Sequence, residues 1–186
     1  INTSPSMVLG TAETRVIDMT RAFAVLSAKG AAVTPYGITK VTTGNGEILY
    51  QYRQKPRAQL LEAFVASAMT DLLQSAVSTG TGKAAQIGRP VAGKTGTTHK
   101  LEDGVYSPDK FVSSFVGFAP ASDPRLIIAI MIDEPNGGEH YGGLVAAPVF
   151  SAVMSDSLRH MGIAQDAPLP EGPLIPKEQP LIKEEV

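Results

Sequence analysis

Apolar residues recur at the spacing of an amphipathic helix in three parts of the chain, 15–29, 57–78 and 148–161. Thr14 is a candidate N-cap for the first helix, and Gly30 suits the position just after its last turn. One face of each helix is therefore expected to contact the core. The positions expected on that face in the second and third helices are Leu61, Phe64, Ala68, Leu72, Val77, Phe150, Val153, Met154, Leu158 and Met161.

Further segments, rich in β-branched and aromatic residues and bounded by turn-forming residues, predict strands. The first two, 38–42 and 47–52, are separated by a Gly-Asn-Gly sequence typical of a tight hairpin. The others are 91–97, 111–119 and 125–133, and a short Pro-bounded turn makes the last two an antiparallel pair. The order of these elements predicts an α+β fold, an antiparallel sheet with flanking helices.

The composition is that of an ordinary folded domain. The chain has 186 residues, 16 basic and 18 acidic side chains, and a net charge of −2. We expect one domain over 1–162, followed by a Pro-rich mobile tail over 163–186 that lacks apolar periodicity. No Lys/Arg cluster indicates a nucleic-acid partner, and the longest apolar run, 126–132, is much shorter than the ~20 residues of a membrane-spanning helix. There is no cysteine, and His99 and His160 have no partners at metal-ligand spacing, so no metal site is predicted.

The sequence from Gly88 to Thr95 fits two unrelated patterns that share Lys94. As G-x-x-x-x-G-K-T it matches the phosphate loop of nucleotide hydrolases, with Asp133 at the end of an apolar strand as a candidate magnesium-side acid. Such a loop must open a helix, however, and the residues after Lys94 are poor helix formers. A nucleotide hydrolase stays open as the alternative function.

Read as a strand, the same segment presents Lys94, Thr95 and Thr97 around Gly96. A cation and hydroxyl groups can hold a substrate carboxylate, and a backbone N–H can stabilise a tetrahedral oxyanion. The glycines allow a substrate backbone to approach the strand closely. This pattern is typical of the Lys-Thr-Gly signature of serine enzymes that act on β-lactams and D-alanyl peptides.

The surrounding sequence resembles the penicillin-binding proteins, the transpeptidases that cross-link peptidoglycan. RPVAGKTGTT at 89–98 carries the resemblance, and residues 1–98 are similar to the bifunctional class A members. Residues 105–170, with YGGLVAAPVF at 141–150, are similar to the class B, division-type members. The change of subclass near Thr98 suggests a chimaera, a designed chain or an unusual lineage.

The resemblance implies the fold of serine β-lactamases and D,D-peptidases. It also implies a serine that attacks a D-Ala-D-Ala carbonyl and passes the acyl group to a neighbouring stem peptide. The implied ligands are peptidoglycan stem peptides and β-lactams, without a cofactor. The implied location is the periplasmic side of the inner membrane, with the membrane reached only through a segment outside this chain.

Lys94 and Thr97 are the implied catalytic residues, Lys94 in the proton network and Thr97 through its oxyanion-binding N–H. The implied substrate-binding residues are Thr95, Gly96, Thr97, His140 and Tyr141, the last two in the cleft wall.

Two other signatures of this family are absent upstream of Lys94. The nucleophile motif S-x-x-K occurs once, from Ser107 to Lys110, after Lys94 and in an expected turn, and S-x-N does not occur. We therefore expect the chain to begin inside the domain and to need the missing upstream part as its partner. A non-catalytic scaffold is a further alternative. Asp133 and Glu134 are not expected to act as paired acids, because neighbours on a strand point to opposite faces, and they are expected to begin a turn before Pro135.

Overall fold

A computed structural model describes residues 14–166. Its helices and strands follow one another in the predicted order. The helices are α1 (Val16–Ser27), α2 (Ala63–Ser78) and α3 (Gly142–His160), with a single 3₁₀ turn over Lys83–Ala85. The strands are β1 (Lys40–Thr42), β2 (Ile48–Gln51), β3 (Ala92–Glu102), β4 (Val105–Ala119) and β5 (Leu126–Asp133).

The main sheet has three antiparallel strands in the order β3-β4-β5. Lys94 pairs with Val116, and Val116 pairs with Ala129, so the strands run side by side through the middle of the sheet. Within the described part of the chain, β3 and β5 form the two edges of this sheet. The predicted α+β class, an antiparallel sheet with flanking helices, is confirmed.

Helix α3 covers one face of the sheet. Its Phe150 side chain is completely buried, and the Phe150 ring packs against Phe115 of β4 at a centroid distance of 4.6 Å. Met154 and Leu158 continue the buried face one and two turns later, as predicted. Burial of large apolar side chains is the main stabilising contribution to such a layer.

A second cluster lies on the opposite face of the sheet, where α1 and α2 pack. Phe118 of β4 is completely buried there, together with Leu73 of α2. Phe23 and Leu26 of α1 pack against the same cluster. The sheet is therefore covered by helices on both faces, and its middle strand is the most buried.

The start of α1 differs slightly from the prediction. Arg15, rather than Thr14, is the N-cap residue, and its guanidinium binds Asp18 in the first turn at 2.6 Å. This hydrogen bond lowers the pKa of the Asp18 carboxyl. Gly30 has a φ of +89°, the left-handed conformation expected after the last turn.

The prediction for the second helix is wrong at its start. Helix α2 begins at Ala63, because the preceding residues pair with the segment that follows α1. Gln59 forms a β-bridge with Ala31, and the Leu60 N–H donates to the Gly30 carbonyl at 2.9 Å. These extended contacts exclude a helix over 57–62.

The predicted core face of this helix is also largely wrong. Phe64 and Leu72 are 74% and 64% exposed, whereas Ala66 and Leu73 are buried. The helix carries apolar residues on two faces, and spacing alone does not show which face meets the sheet. Leu61 and Ala68 are exposed with Phe64 and Leu72, and Val77 is the member of the predicted set that is buried.

The third helix is longer than predicted, since it begins at Gly142 and contains Pro148 inside it. Two of its expected core positions, Val153 and Met161, are 42% and 49% exposed. Both lie beyond the edge of the face that contacts the sheet. No helix within residues 14–166 is both long enough and apolar enough to cross a bilayer.

Residues 163–166 were expected to begin a mobile tail, yet they contact the body of the domain. The Arg89 guanidinium donates to the Ala164 carbonyl at 2.7 Å, and the Gln165 amide donates to the Gly88 carbonyl at 3.2 Å. Asp166 accepts a hydrogen bond from Ser122. The remainder of the expected tail, 167–186, lies outside the described residues, and its mobility stays a prediction.

We expect Phe150→Ala to lower the free energy of unfolding by about 3–5 kcal/mol, because it leaves a cavity against Phe115 in the buried layer. Val149→Ala is the matched control, since Val149 is 42% exposed and its truncation should cost less than about 1 kcal/mol. Urea unfolding followed by circular dichroism measures both. Equal effects of the two substitutions would show that α3 does not pack as described.

Candidate active site

The Lys-Thr-Gly-Thr segment lies inside β3, at an edge of the described sheet. Lys94 is exposed, and its amino group donates to the Thr95 carbonyl at 2.8 Å. Thr95 and Thr97 are two residues apart, so their side chains share the face opposite to that of Lys94. The edge position leaves Lys94 and both threonines next to the unpaired side of one strand.

The cluster of hydroxyl groups consists of those of Thr81, Thr95 and Thr97. The Thr95 hydroxyl forms a 2.8 Å hydrogen bond with that of Thr81, and Thr95 is only 4% exposed. The Thr97 hydroxyl accepts a 3.0 Å hydrogen bond from the backbone N–H of Gly142, which is the first residue of α3. The N-terminus of a 19-residue helix carries a partial positive charge, so this cluster suits a negatively charged group.

Glycine is required where α3 meets the sheet. A Cβ atom on Gly142 would collide with the backbone carbonyl oxygens of Ser114 and Gly96. A Cβ atom on Gly143 would collide with the Thr81 carbonyl oxygen. Because these atoms belong to the backbone, they cannot move aside as a side chain could. The glycine pair therefore sets how closely the helix approaches Thr97.

His140 and Tyr141 lie in the loop between β5 and α3, where the order of elements predicts them, and their role in a cleft wall stays a prediction. They belong to a continuous set of stacked rings that begins at His99 and continues through Phe111. The Phe111 and His140 rings are nearly parallel, with centroids 3.8 Å apart. The buried Ser113 hydroxyl donates to the His140 carbonyl. These contacts hold the loop beside the end of β3 that follows Thr97.

A network of charges holds the same loop from its other end. The Lys100 amino group of β3 binds Asp133 at 2.8 Å and Glu134 at 2.6 Å. Glu134 also lies 3.9 Å from Lys110, which binds Glu102 at 2.6 Å. The hydrogen bonds to Asp133 and Glu134 raise the pKa of the Lys100 amino group.

Asp133 and Glu134 both bind Lys100, and Glu134 lies in the expected turn before Pro135, where the side-chain alternation of the strand no longer applies. Asp133 is the last residue of β5, and Glu134 has a φ of +50°, which turns its side chain away from the strand alternation.

The phosphate-loop interpretation of the sequence from Gly88 to Thr95 does not fit the structure. Lys94 is followed by eight further strand residues rather than by a helix. The Asp133 carboxylate, the candidate magnesium-side acid, forms an ion pair with Lys100 instead. Among residues 14–166, no group of three His, Asp or Glu side chains is arranged to hold a metal ion.

The single S-x-x-K match lies in β4, not in the turn that the sequence predicted. Ser107 and Lys110 are three residues apart on a strand, so their side chains point to opposite faces. The Lys110 amino group binds Glu102 instead. A serine and a lysine in this arrangement do not form a nucleophile and its base.

A groove of about 460 Å³ lies on the face of the sheet opposite α3. Val16 and Met19 of α1 line it together with Ser114 and Met131 of the sheet. Neither Lys94 nor the two threonines line this groove, so it is separate from the hydroxyl cluster.

Several residues of the site had no role assigned from the sequence. They are Thr81, Ser113, Phe111 and Gly142, and each is placed by a contact between segments that are distant in the chain. The Gly-Gly pair after Tyr141 is the one signal that could have indicated such a contact, because two glycines at a helix start permit close packing.

Comparison with known proteins gives a consistent result. Residues 12–155 match the family described as the penicillin binding protein transpeptidase domain. The chain is 42% identical over 136 residues to the probable peptidoglycan D,D-transpeptidase PenA of Neisseria flavescens, covering 69% of this chain and 34% of that protein. It is 34% identical over 154 residues to the peptidoglycan D,D-transpeptidase FtsI of Escherichia coli K12, covering 81% of this chain and 24% of FtsI.

Solved structures agree with the fold. Penicillin-binding protein 3 of Mycobacterium tuberculosis, in complex with aztreonam, superposes with a TM-score of 0.72 and 25% identity over 84% of this chain and 37% of that one. The transpeptidase domain of penicillin-binding protein 3 from Burkholderia pseudomallei superposes with a TM-score of 0.66 and 29% identity over 83% and 45%. The chain thus spans about a third of the length of the curated relative PenA and a quarter of FtsI.

The class B, division-type resemblance is supported by these relatives. The PenA and FtsI matches cover 69% and 81% of the chain, more than residues 105–170 contain, so each relative also resembles part of the segment before residue 105. The class A resemblance of residues 1–98, and with it the suggested change of subclass near Thr98, stays a prediction.

We expect Lys100→Met to loosen the loop between β5 and α3, because it removes both ion pairs that hold Asp133 and Glu134. The amide hydrogen of Gly142 should then exchange several-fold faster in a hydrogen-exchange measurement, whereas that of Phe115 should not change. Arg159→Met is the control, since it breaks an exposed pair within α3. Unchanged exchange at Gly142 would contradict this role of Lys100.

The contribution of the Lys100 ion pairs to stability should depend on pH in a defined way. Because the folded-state pKa of Lys100 lies above its ordinary value of 10.5, its contribution to stability is complete below that value and disappears as the pH rises through the raised pKa. The difference in urea midpoint between the wild type and Lys100→Met should therefore be the same at pH 7 and pH 9 and decrease only above about pH 10.5.

Proposed function

Because the chain belongs to the penicillin-binding protein transpeptidase family, we propose that it supplies the carboxylate-binding and oxyanion-binding side of a peptidoglycan D,D-transpeptidase site. The substrates proposed are stem peptides that end in D-Ala-D-Ala, and β-lactams bind as their mimics. PenA and FtsI carry the name peptidoglycan D,D-transpeptidase, and penicillin-binding protein 3 of M. tuberculosis was solved with aztreonam and with ampicillin.

The observation that carries this proposal is the Thr97 hydroxyl on an edge strand beside the N-terminus of α3, with the exposed Lys94 on the other face of the same edge. A terminal carboxylate needs a positive charge and hydroxyl donors, and both are present here. The Thr97 hydroxyl is oriented by the Gly142 N–H, so its position is fixed before a substrate arrives.

In the proposed reaction, a serine hydroxyl attacks the carbonyl carbon of the D-Ala-D-Ala peptide bond. The serine proton passes to a base, and the carbonyl oxygen becomes an oxyanion that the Thr97 backbone N–H stabilises. Collapse of this intermediate releases D-alanine as the amine leaves with a proton, and an acyl-enzyme remains. The amine of a second stem peptide then attacks the ester, and the serine is released. No cofactor takes part.

The nucleophilic serine is proposed to come from a segment other than the part described here. The S-x-x-K match at Ser107 has the wrong geometry, since its lysine lies on the opposite face of β4. The location proposed for the complete enzyme is the periplasmic side of the inner membrane, where its peptidoglycan substrate is found.

The partner proposed for this chain is the remaining part of a transpeptidase domain. Its docking surface includes the apolar face of α2, where Phe64 and Leu72 are 74% and 64% exposed. An exposed apolar helix face of this kind favours association with a complementary surface.

We expect the chain alone to form no covalent adduct with penicillin, as measured by intact mass. Mixed with the serine-containing upstream segment of the PenA transpeptidase domain, it should support acylation of that segment. Lys94→Ala and Thr97→Val should each reduce the acylation rate by about tenfold or more, because each removes a side-chain group proposed to bind the substrate carboxylate while the oxyanion-binding N–H of residue 97 remains. Arg125→Ala, an exposed residue before β5, is the control. A penicillin adduct on the chain alone would contradict the proposal, whereas a folded mixture that is never acylated would favour a non-catalytic scaffold.

We also expect the double variant Phe64→Ser/Leu72→Ser to lose binding to the same segment while keeping its own fold. Because both side chains are already exposed, their replacement removes apolar surface without opening a cavity. Binding is measured by sedimentation velocity, and unfolding by urea titration. Val149→Ser on α3 is the control. Equal binding by the wild type and the double variant would show that α2 is not the docking surface.

A further inference from the structure

The hairpin formed by β1 and β2 stands apart from the main sheet. It is a separate two-stranded sheet, and all seven of its strand residues are exposed. A turn from Thr43 to Gly46 connects the two strands, and the Gly46 N–H donates to the Thr43 carbonyl. Gly46 has a φ of +87°. Two strands alone are marginally stable in water, and a third strand usually completes such a sheet.

Among residues 14–166, no strand other than β1 pairs with β2, so the outer edge of β2 has backbone groups that can accept a further strand. The Tyr52 N–H donates to the Thr39 carbonyl at 2.7 Å, and Tyr50 pairs with Val41, so the groups of these two tyrosines face β1. Since successive residues of a strand turn their N–H groups to opposite sides, the backbone groups of Gln51 face away from β1.

The two faces of this hairpin differ in chemistry. One face carries apolar and aromatic side chains, among them Tyr50 and the stacked pair of Tyr36 and Tyr52, whose ring centroids are 3.8 Å apart. The neighbouring positions carry cations. The Lys/Arg residues of the stretch 36–57 are Lys40, Arg53, Lys55 and Arg57, against the single acidic residue Glu47.

This local charge was missed in the sequence, where no cluster of basic residues was recognised. The hairpin register brings Lys40 opposite Gln51 and thus beside Arg53, although 12 other residues separate them in the chain. All four cations are exposed, and none forms an ion pair with another residue of 14–166. Charge of one sign at an open edge keeps like strands apart, so a second copy of this hairpin is disfavoured.

We propose that the β1–β2 hairpin binds an extended acidic peptide segment of a partner protein, which adds as a third strand along β2. The backbone of the partner pairs with the outward groups of β2, and its carboxylates pair with the exposed cations that follow β2 in the chain, chiefly Arg53 and Lys55. This mode of recognition takes its affinity from main-chain hydrogen bonds and its selectivity from alternate side chains. It is independent of the Lys-Thr-Gly site.

The probe that tests this is a fluorescent peptide, Thr-Glu-Val-Glu-Val-Glu-Thr, with blocked ends. We expect saturable binding to the full chain with a Kd below about 1 mM, measured by fluorescence anisotropy. The affinity should fall as salt is raised, because the ion pairs are exposed. Arg53→Glu/Lys55→Glu should weaken binding by at least about tenfold. Lys29→Glu/Arg125→Glu changes the net charge by the same amount elsewhere and should leave the affinity within about twofold, because distant exposed charges are screened.

Two further probes separate strand addition from simple charge attraction. The same peptide with N-methyl groups on alternate residues keeps its carboxylates but cannot pair with a strand edge, and it should not bind. A single-stranded DNA oligomer tests whether the cations attract any polyanion. Equal binding of the methylated peptide, tighter binding of the DNA, or no binding of the parent peptide would each overturn the proposal. If Arg53→Glu/Lys55→Glu fails to fold by circular dichroism, Lys40→Glu replaces it and is expected to weaken binding about threefold or more.

Discussion

The close approach of α3 to the middle of the sheet is the contact on which the candidate site depends. At Gly142, the helix backbone lies against the backbones of β3 and β4, and a single Cβ atom there would meet two carbonyl oxygens. This approach brings the first N–H of the helix to the Thr97 hydroxyl and brings Gly143 against the Thr81 segment. The layer of Phe115, Phe150 and Met154 behind it keeps the helix in place. Core packing and site geometry therefore have the same origin.

The loop between β5 and α3 is held by a different kind of interaction. It contains few buried side chains, and ring stacking at Phe111 and His140 together with the Lys100 ion pairs fixes it to the sheet. Such surface contacts are individually weak, and salt screens the charged ones. The site thus joins a strand that is fixed by the core to a loop that is fixed by surface contacts. This difference makes the loop the part of the site that is easiest to perturb.

Exposed apolar surface is the other prominent property of the molecule. The α2 face around Phe64, the β1–β2 hairpin and the open edge of β5 all present groups that folded domains usually cover. The chain matches only about a third of PenA and 45% of the B. pseudomallei transpeptidase domain chain, so related proteins have further residues that could cover such surfaces. The proposals for α2 and for the hairpin assign different occupants because their chemistry differs. The α2 face is apolar, whereas exposed cations lie close to the hairpin in the chain.

The sequence alone determined the order of the elements, the α+β class and the strand position of Lys94, because local periodicity and turn residues are properties of neighbouring positions. It also determined the family, through the residues around the Lys-Thr-Gly strand. The tertiary structure alone decided which face of α2 is buried, since both faces are apolar and the choice depends on the surface that the helix meets. It also decided the convergence of Asp133 and Glu134 on Lys100 and the contact of Thr97 with Gly142. These contacts join residues more than thirty positions apart, and their geometry depends on strand register and helix approach, which no local pattern encodes.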